Sequence, residues 1–493
     1  MMVWLPVLTA ALPLAGSAAA ALSGRTGWAA FAAVAGAAGS LVLAVVVATL
    51  TITGAPLASA GAFVYVDGLG GFFLVTVAVV VLLASLGSAS YLAVEERSGQ
   101  LSARRVRIYF GAFGLFAASM LAAVETANLG LLFILVEAAT LASVVLVPIE
   151  GRTEGLEAGW RYVIISSLGI TVALVGALFL FYSASALPGS AQSHLAWPFL
   201  LAHAHQLAPT ALRLGFLLGV VGYGTKVGLA PMHTWLPDAH AEAPAPASAM
   251  LSGALLNVGM YAVIRLLAIA NRGLGTQYGG RTMLIFGFLS VLVGAVFMIR
   301  RRDFKRLFAY SSVEHMGIIA VGLGFGGVLG IYGALLHSLN HSLGKTVLFL
   351  SGGSVALAYG TRRTDRLGGV TGAMPWTGAL LVGAALAILG APPFGLFISE
   401  FTIVRAGLQG DQPWLVALLL TLLAVAFLAF MRTVGGMLFG APRGVHREPY
   451  LGAREHLLAV GPSAVGLLAL LGLGLWIPSW LNLLLAHSVA LVR

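Results

Sequence analysis

Apolar runs of about 18 or more residues follow one another along almost the whole chain, each long enough to cross roughly 30 Å of hydrocarbon as a helix. Short polar or basic stretches separate them. The pattern predicts about fourteen spans, at 2–22, 27–50, 68–93, 107–124, 128–149, 160–182, 211–237, 244–270, 282–299, 307–325, 328–357, 374–404, 413–437 and 458–486. No interval between them holds a soluble domain. The expected fold class is an all-α polytopic membrane protein, one transmembrane domain over residues 1–493. Composition agrees: charged residues make up 9% of the chain and hydrophobic ones 59%, too little polarity to solvate a globular surface.

Charge adds an orientation. Of 27 lysines and arginines, 18 fall in loops that follow odd-numbered spans: Arg25, the Arg97 to Arg107 group, Arg152, Arg161, Arg300 to Arg306, Arg362 to Arg366, and Arg443 to Arg454. Five (Arg213, Arg272, Arg281, Arg405 and Arg493) fall on the other side, and Lys226, Arg265, Lys345 and Arg432 lie within spans. The imbalance predicts that the odd-numbered ends face the cytoplasm and both termini lie outside. The first apolar run ends in Ala18-Ala19-Ala20 but no basic segment precedes it, so it reads as a retained helix rather than a secretion signal. The net charge of +10 is spread over these loops, which sets topology and gives no face for nucleic acid. With no cysteine, thiolate-held iron–sulfur clusters, thiolate zinc sites and disulfides are excluded; no cofactor is expected in this chain.

Against that background the intramembrane charges stand out, because a charge at the bilayer centre costs about 2.5–3.5 kcal/mol on insertion scales. Two of the three lysines, Lys226 and Lys345, sit within spans, as do Glu137, Glu314 and Glu400. A structural ion pair or a side chain snorkelling to the interface is the competing account, and it suits Arg265 and Arg432, which lie near predicted helix ends. Glu137 and Lys226 are mid-span and read as functional. In HSLNHSLGK the four-residue spacing stacks His337, His341 and Lys345 on one helix stripe, over roughly 12 Å of rise. Such a stripe can pass a proton. The same spacing can hold a metal, but no carboxylate or third histidine stands beside it in sequence, so no metal is expected. His315, in SSVEHMGII, fits a relay and a hydrogen-bonded core histidine equally well.

Proline breaks bracket the charges. Pro231 and Pro237 follow Lys226, with His233 between them, and Pro392 and Pro393 precede Glu400. A proline removes a backbone donor, which a membrane tolerates only in protein-buried or water-lined places. The breaks fall in spans seven and twelve, corresponding places in two five-helix units at about 107–270 and 282–437, flanked by helices in 2–93 and 458–486. Two inverted repeats with discontinuous helices seven and twelve are what an inverted-repeat transporter would show.

The segment GTKVGLAPMHTWLPDAHAEAPAPASAMLSG resembles the antiporter-like proton-translocating subunits of respiratory complex I, membrane-bound hydrogenases and multisubunit cation/proton antiporters. Glu137, HSLNHSLGK and PPFGLFISEF extend the likeness over almost all spans. AYSSVEHMGIIAVGLG and LLHSLNHSLGK look most like component F of hydrogenase 4 and related group 4 complexes. The resemblance implies two inverted half-channels joined by a mid-membrane polar axis. On it, Glu137 pairs with Lys226, and the histidine stripe and Lys345 lead to Glu400. It also implies membrane and redox partner subunits and a bacterial or archaeal cytoplasmic membrane. One departure concerns the axis: where many complex I relatives carry a lysine in span eight, LLNVGMY has Asn257, so water or His315, His337 and His341 must bridge it. A second is the short stretch after span fourteen, where one complex I subunit carries a long lateral helix.

The expected function is therefore proton translocation as a non-catalytic subunit of a redox-driven complex. Two rivals stay open: a subunit of a sodium/proton antiporter, with sodium as a further transported ion, and a non-conducting scaffold for a redox arm. Glycine-rich stretches such as GLGFGG lie in apolar helices and form no phosphate loop.

Overall fold

Hydrocarbon offers no partner to backbone N–H and C=O groups, so the apolar runs close those bonds within helices. The computed structural model describes residues 4–23, 25–59, 63–441, 443 and 457–493. Its first six helices are α1 (Trp4–Leu22), α2 (Thr26–Thr53), α3 (Gly68–Arg97), α4 (Ala103–Glu125), α5 (Leu129–Leu146) and α6 (Thr153–Ser183). Short helices α7 (Ala191–His194) and α8 (Trp197–Ala202) lead into α9 (Pro209–Val227), α10 (Leu236–Glu242), α11 (Ala245–Met250) and α12 (Leu256–Leu274). Next come α13 (Thr276–Met298), α14 (Phe304–Phe325), α15 (Gly327–Tyr359), the single turn α16 (Val370–Ala373) and α17 (Pro375–Ile388). The chain continues with α18 (Gly395–Gln409), α19 (Pro413–Leu438), α20 (Leu457–Leu475) and α21 (Ser479–Val492).

Twelve segments among the described residues, counting Pro209–Glu242 and Ala245–Leu274 as one each, are long and apolar enough to cross a bilayer. The 33-residue α15 carries His337, His341 and Lys345 among its apolar residues. Two further predicted spans are each a pair of helices: 374–404 is α17 and α18, and 458–486 becomes α20 and α21, with Pro478 at the start of α21. Pro478 has no N–H to continue α20, so the helix ends before it. Met2 and Val3 of the first predicted span, and Arg447 and Arg454 of the counted arginines, lie outside the described residues.

Side-chain caps set several helix starts. Asp67 accepts from Gly70 N (2.9 Å), Asn128 from Leu131 N (3.0 Å), and Asp303 from Lys305 N (2.8 Å), each satisfying a donor that has no carbonyl in its own helix. Small residues let the longest pairs approach closely. A Cβ on Gly222 of α9 would lie 2.3 Å from Ala173 N of α6, and one on Gly317 of α14 would lie 2.7 Å from Gly287 O of α13. The α11–α12 segment is buried from Ala245 to Ala270, while α1, α2, α19 and α20 are peripheral and face outward along much of their length.

Polar contacts gather the basic loops at one end of the bundle. Arg107 reaches Ser23 O (3.4 Å), Arg105 reaches Glu150 O (3.4 Å), and Asp238 accepts from both Arg161 (3.1 Å) and Arg306 (3.0 Å). Arg362 binds Glu242 (2.9 Å), and Arg443 N donates to Gly368 O (3.3 Å). These are the loops counted as following odd-numbered spans, so that grouping is a spatial one.

Candidate functional site

Lys226 lies at the end of α9, where Gly228 takes a left-handed conformation (φ 77) that stops the helix. The break then disposes of the freed backbone groups locally. Trp235 Nε1 donates to Thr225 O (2.8 Å), and Ala230 N donates to Ser290 Oγ (2.9 Å). Lys226 is wholly buried. Its ammonium donates to Thr140 Oγ1 on α5 and lies 5.4 Å from the centre of the Tyr162 ring. Glu137, one turn before Thr140, accepts from Ser167 Oγ at 2.5 Å, and its Oε2 is buried without a hydrogen bond. Glu137 is near enough to act on the charge of Lys226. No ion pair joins them, so the expected direct Glu137–Lys226 contact is absent; Lys226 bonds Thr140 instead, whose hydroxyl donates to Val136 O and not to Glu137.

Asn257 sits just after a π-helical turn, Leu251–Leu255, and ties α12 to α15. Its amide donates to Ser342 Oγ (2.6 Å) and Gly253 O (3.0 Å), and Ser342 Oγ donates to Gly253 O (2.7 Å). Asn257 Oδ1 remains buried without a protein partner.

The second half is assembled across three helices. His315 Nδ1 on α14 and His337 Nε2 on α15 are 2.9 Å apart, and His337 Nδ1 is 2.9 Å from Ser399 Oγ on α18. The His341 ring centre lies 5.5 Å from that of His315, and both its nitrogens are buried without a partner. Lys345 donates to Phe308 O (3.0 Å) and to Ser311 Oγ, within electrostatic reach of Glu314. Glu314 in turn acts on Glu400. Glu400 follows the Pro392-Pro393 break, and its Oε2 lies over Gly390 at the end of α17. No backbone donor reaches Glu400 among the described residues.

Folding also changes the ground for the metal argument. His315, His337 and Glu400 each place a ligand atom within 4.8 Å of the others, a grouping invisible to local spacing. Both nitrogens of His337 are already engaged, with His315 and Ser399, so a metal would have to displace a hydrogen bond. His233 is set apart: its ring faces Tyr310 edge-on at 6.3 Å, and it bonds to none of the other named histidines or lysines.

Two buried groups beside this cluster carry no signal in the local sequence pattern used above. Lys305, counted as a loop charge, is buried and donates to the carbonyls of Ala241 (3.2 Å) and Ala243. A cavity of about 120 Å³, lined by Glu150, Arg152, Lys305 and Arg362 among others, opens beside it. His240 is stacked on Phe349 at 5.0 Å with both ring nitrogens unpartnered among the described residues, within electrostatic reach of Lys305 and Lys345. Glu314, singled out from the sequence as a buried charge, lies within electrostatic reach of Lys345. His240 could have been found from its place in LPDAHAEAPAP, three residues after Pro237.

Arg265 belongs to a different arrangement. It is buried, bonds Asp67 through Nη1 (2.8 Å) and Nη2 (2.5 Å), and lies 3.9 Å from the Trp197 ring centre and 4.8 Å from that of Tyr261. It locks α12 to α3 rather than reaching for the interface, whereas Arg432 is exposed near the end of α19.

These features can be set beside known proteins. The family described as NADH:quinone oxidoreductase/Mrp antiporter, transmembrane, matches residues 126–426. A hydrogenase-4 component F homolog from Methylacidiphilum infernorum (isolate V4) is 39% identical over 408 residues, covering 82% of this chain and 86% of the relative. A chain of respiratory complex I from Thermus thermophilus with bound NADH superposes with a TM-score of 0.82 at 25% identity, covering 99% of each chain. One from the Mrp complex of Dietzia sp. DQ12-45-1b gives 0.83 at 20% identity, covering 99% of this chain and 96% of that one, a likeness of fold. The chain belongs to the NADH:quinone oxidoreductase/Mrp antiporter transmembrane family, as an antiporter-like membrane subunit.

Proposed function

We propose that the chain conducts protons across a bacterial or archaeal cytoplasmic membrane as part of a redox-driven complex of the group 4 hydrogenase or complex I kind. The observation that carries this reading is the bonded row His315–His337–Ser399, flanked by Lys345, Glu314 and Glu400. Imidazoles and amines exchange protons, whereas a hard cation such as sodium asks for a cage of oxygen ligands. The unpartnered nitrogens of His240 and His341 and Asn257 Oδ1 would take water as their partner, giving a continuous path past the asparagine. On this reading the odd-numbered ends face the cytoplasm, both termini lie outside, the two halves are inverted repeats, and all redox centres sit in partner subunits.

The magnitudes allow coupling. Separating Glu137 and Lys226 from about 4 Å contact at an effective dielectric of roughly 20 changes their interaction by about 4 kcal/mol. Moving one charge against about 150–200 mV requires roughly 3.5–4.6 kcal/mol. Thr140 holds the lysine one helix turn from Glu137, so a side-chain movement suffices to make or break the contact. The test is the whole complex in sealed vesicles: acidification driven by electron transfer without sodium supports the reading. Strict sodium dependence supports the antiporter, and no ion movement supports the scaffold.

Asn257→Lys is expected to lower that flux severalfold rather than raise it. The change removes the bonds to Ser342 and Gly253 and buries a cation with no carboxylate beside it. A clear rise in proton flux would show that a water-bridged axis is unnecessary.

A further inference from the structure

At the end of the bundle where the basic loops gather, α19, the α13–α14 loop and the loop after α15 enclose a groove of about 830 Å³. Its lining combines apolar Ile299 and Val425, Leu428 and Ala429 of α19 with Arg300, Arg302, Arg443 and Arg432, the last one turn along α19 from Leu428 and Ala429. Arg301 is committed elsewhere, bonded to Phe297 O at 2.5 Å and lying 4.5 Å from the Tyr310 ring centre. Asp365, the acid in the lining, is held by Arg363 at 2.7 Å. The side chains of Arg300, Arg302, Arg432 and Arg443 have no ion-pair partner among the described residues. Arg300 also holds a left-handed backbone (φ 63) that glycine adopts with less strain, so that position presents a guanidinium at an energetic cost.

Four unpaired guanidinium groups beside an apolar wall, at the end of membrane-spanning helices, make an amphipathic site with one chemical complement. We propose that this groove binds an anionic phospholipid, its phosphate on the arginines and an acyl chain along Val425, Leu428 and Ala429. Guanidinium forks match phosphate oxygens in pairs, and basic pockets between membrane helices on the cytoplasmic side take acidic headgroups. The exposed apolar wall supplies what a free phosphate could not use. The site is separate from the polar axis and does not depend on its conducting protons.

The test uses the whole complex in nanodiscs of phosphatidylcholine with a minor share of phosphatidylglycerol, followed by lipid counting in native mass spectrometry. The wild type should retain phosphatidylglycerol above its share of the bilayer, and glycerol phosphate at equal concentration should not displace it. The triple variant Arg300→Gln, Arg302→Gln, Arg432→Gln should bind it roughly 100-fold more weakly, on the scale of three basic residues near an acidic surface. Retention no greater than for phosphatidylcholine in the wild type, displacement by glycerol phosphate, or equal retention in an assembled variant would overturn the proposal. The first of these needs no variant, and it would leave the groove to an acidic protein segment.

Discussion

Lys226→Ala should lower redox-driven proton translocation by about 100-fold or more, the scale of losing a positioned proton-transfer group, while the complex still assembles. Among the described residues the lysine's one hydrogen-bond partner is Thr140, which keeps its own bond to Val136 O (3.0 Å), so the change strands no buried charge except Glu137. Glu137 is only partly buried and can take up a proton. Glu137→Gln should act similarly. Lys226→Arg separates function from structure, since a guanidinium keeps the charge but does not release a proton at working pH. It should assemble and fail to translocate. Acidification of sealed vesicles, with assembly checked on the same membranes, decides the matter; parental rates in Lys226→Arg would reduce the residue to a structural cation.

Arg265→Leu carries the largest expected loss of stability. It leaves Asp67 buried without its partner, and breaking a buried pair from one side costs about 3–5 kcal/mol. Asp67 also caps α3, and Arg265 packs on Trp197 and Tyr261, so three elements loosen together. The double change Asp67→Asn with Arg265→Leu removes both charges while keeping a capping oxygen, and should recover much of that loss. Thermal unfolding of the purified complex in detergent measures both. Equal melting of the single variant and the wild type would show that the pair contributes nothing.

The crossings were legible because lipid forces each apolar run to be a helix, and the stripe His337, His341 and Lys345 because helical spacing is local. What escaped was set by distant parts of the chain. His337 meets His315 and Ser399 from 22 and 62 positions away, and no local pattern encodes that meeting. Lys305 looks like one more basic loop residue until the carbonyls at 241 and 243 fold over it. Asp67 lies one residue before a predicted span, so its pairing with Arg265 had no sequence signal. The Glu137–Lys226 contact came from resemblance; in the structure the lysine bonds Thr140, one turn along the helix from Glu137.

Glu400→Gln in the whole complex, with acidification and electron transfer followed on the same sodium-free vesicles, tests most directly the claim that the axis conducts protons. Glutamine keeps the volume and hydrogen-bonding capacity of Glu400 but cannot exchange a proton. The account predicts that the wild type acidifies without sodium and that the assembled variant loses at least about 10-fold in protons moved per electron, below the usual range for a lost acid–base group because His315 and His337 stay in place. Wild-type acidification by the variant would remove Glu400 from the path and contradict the account.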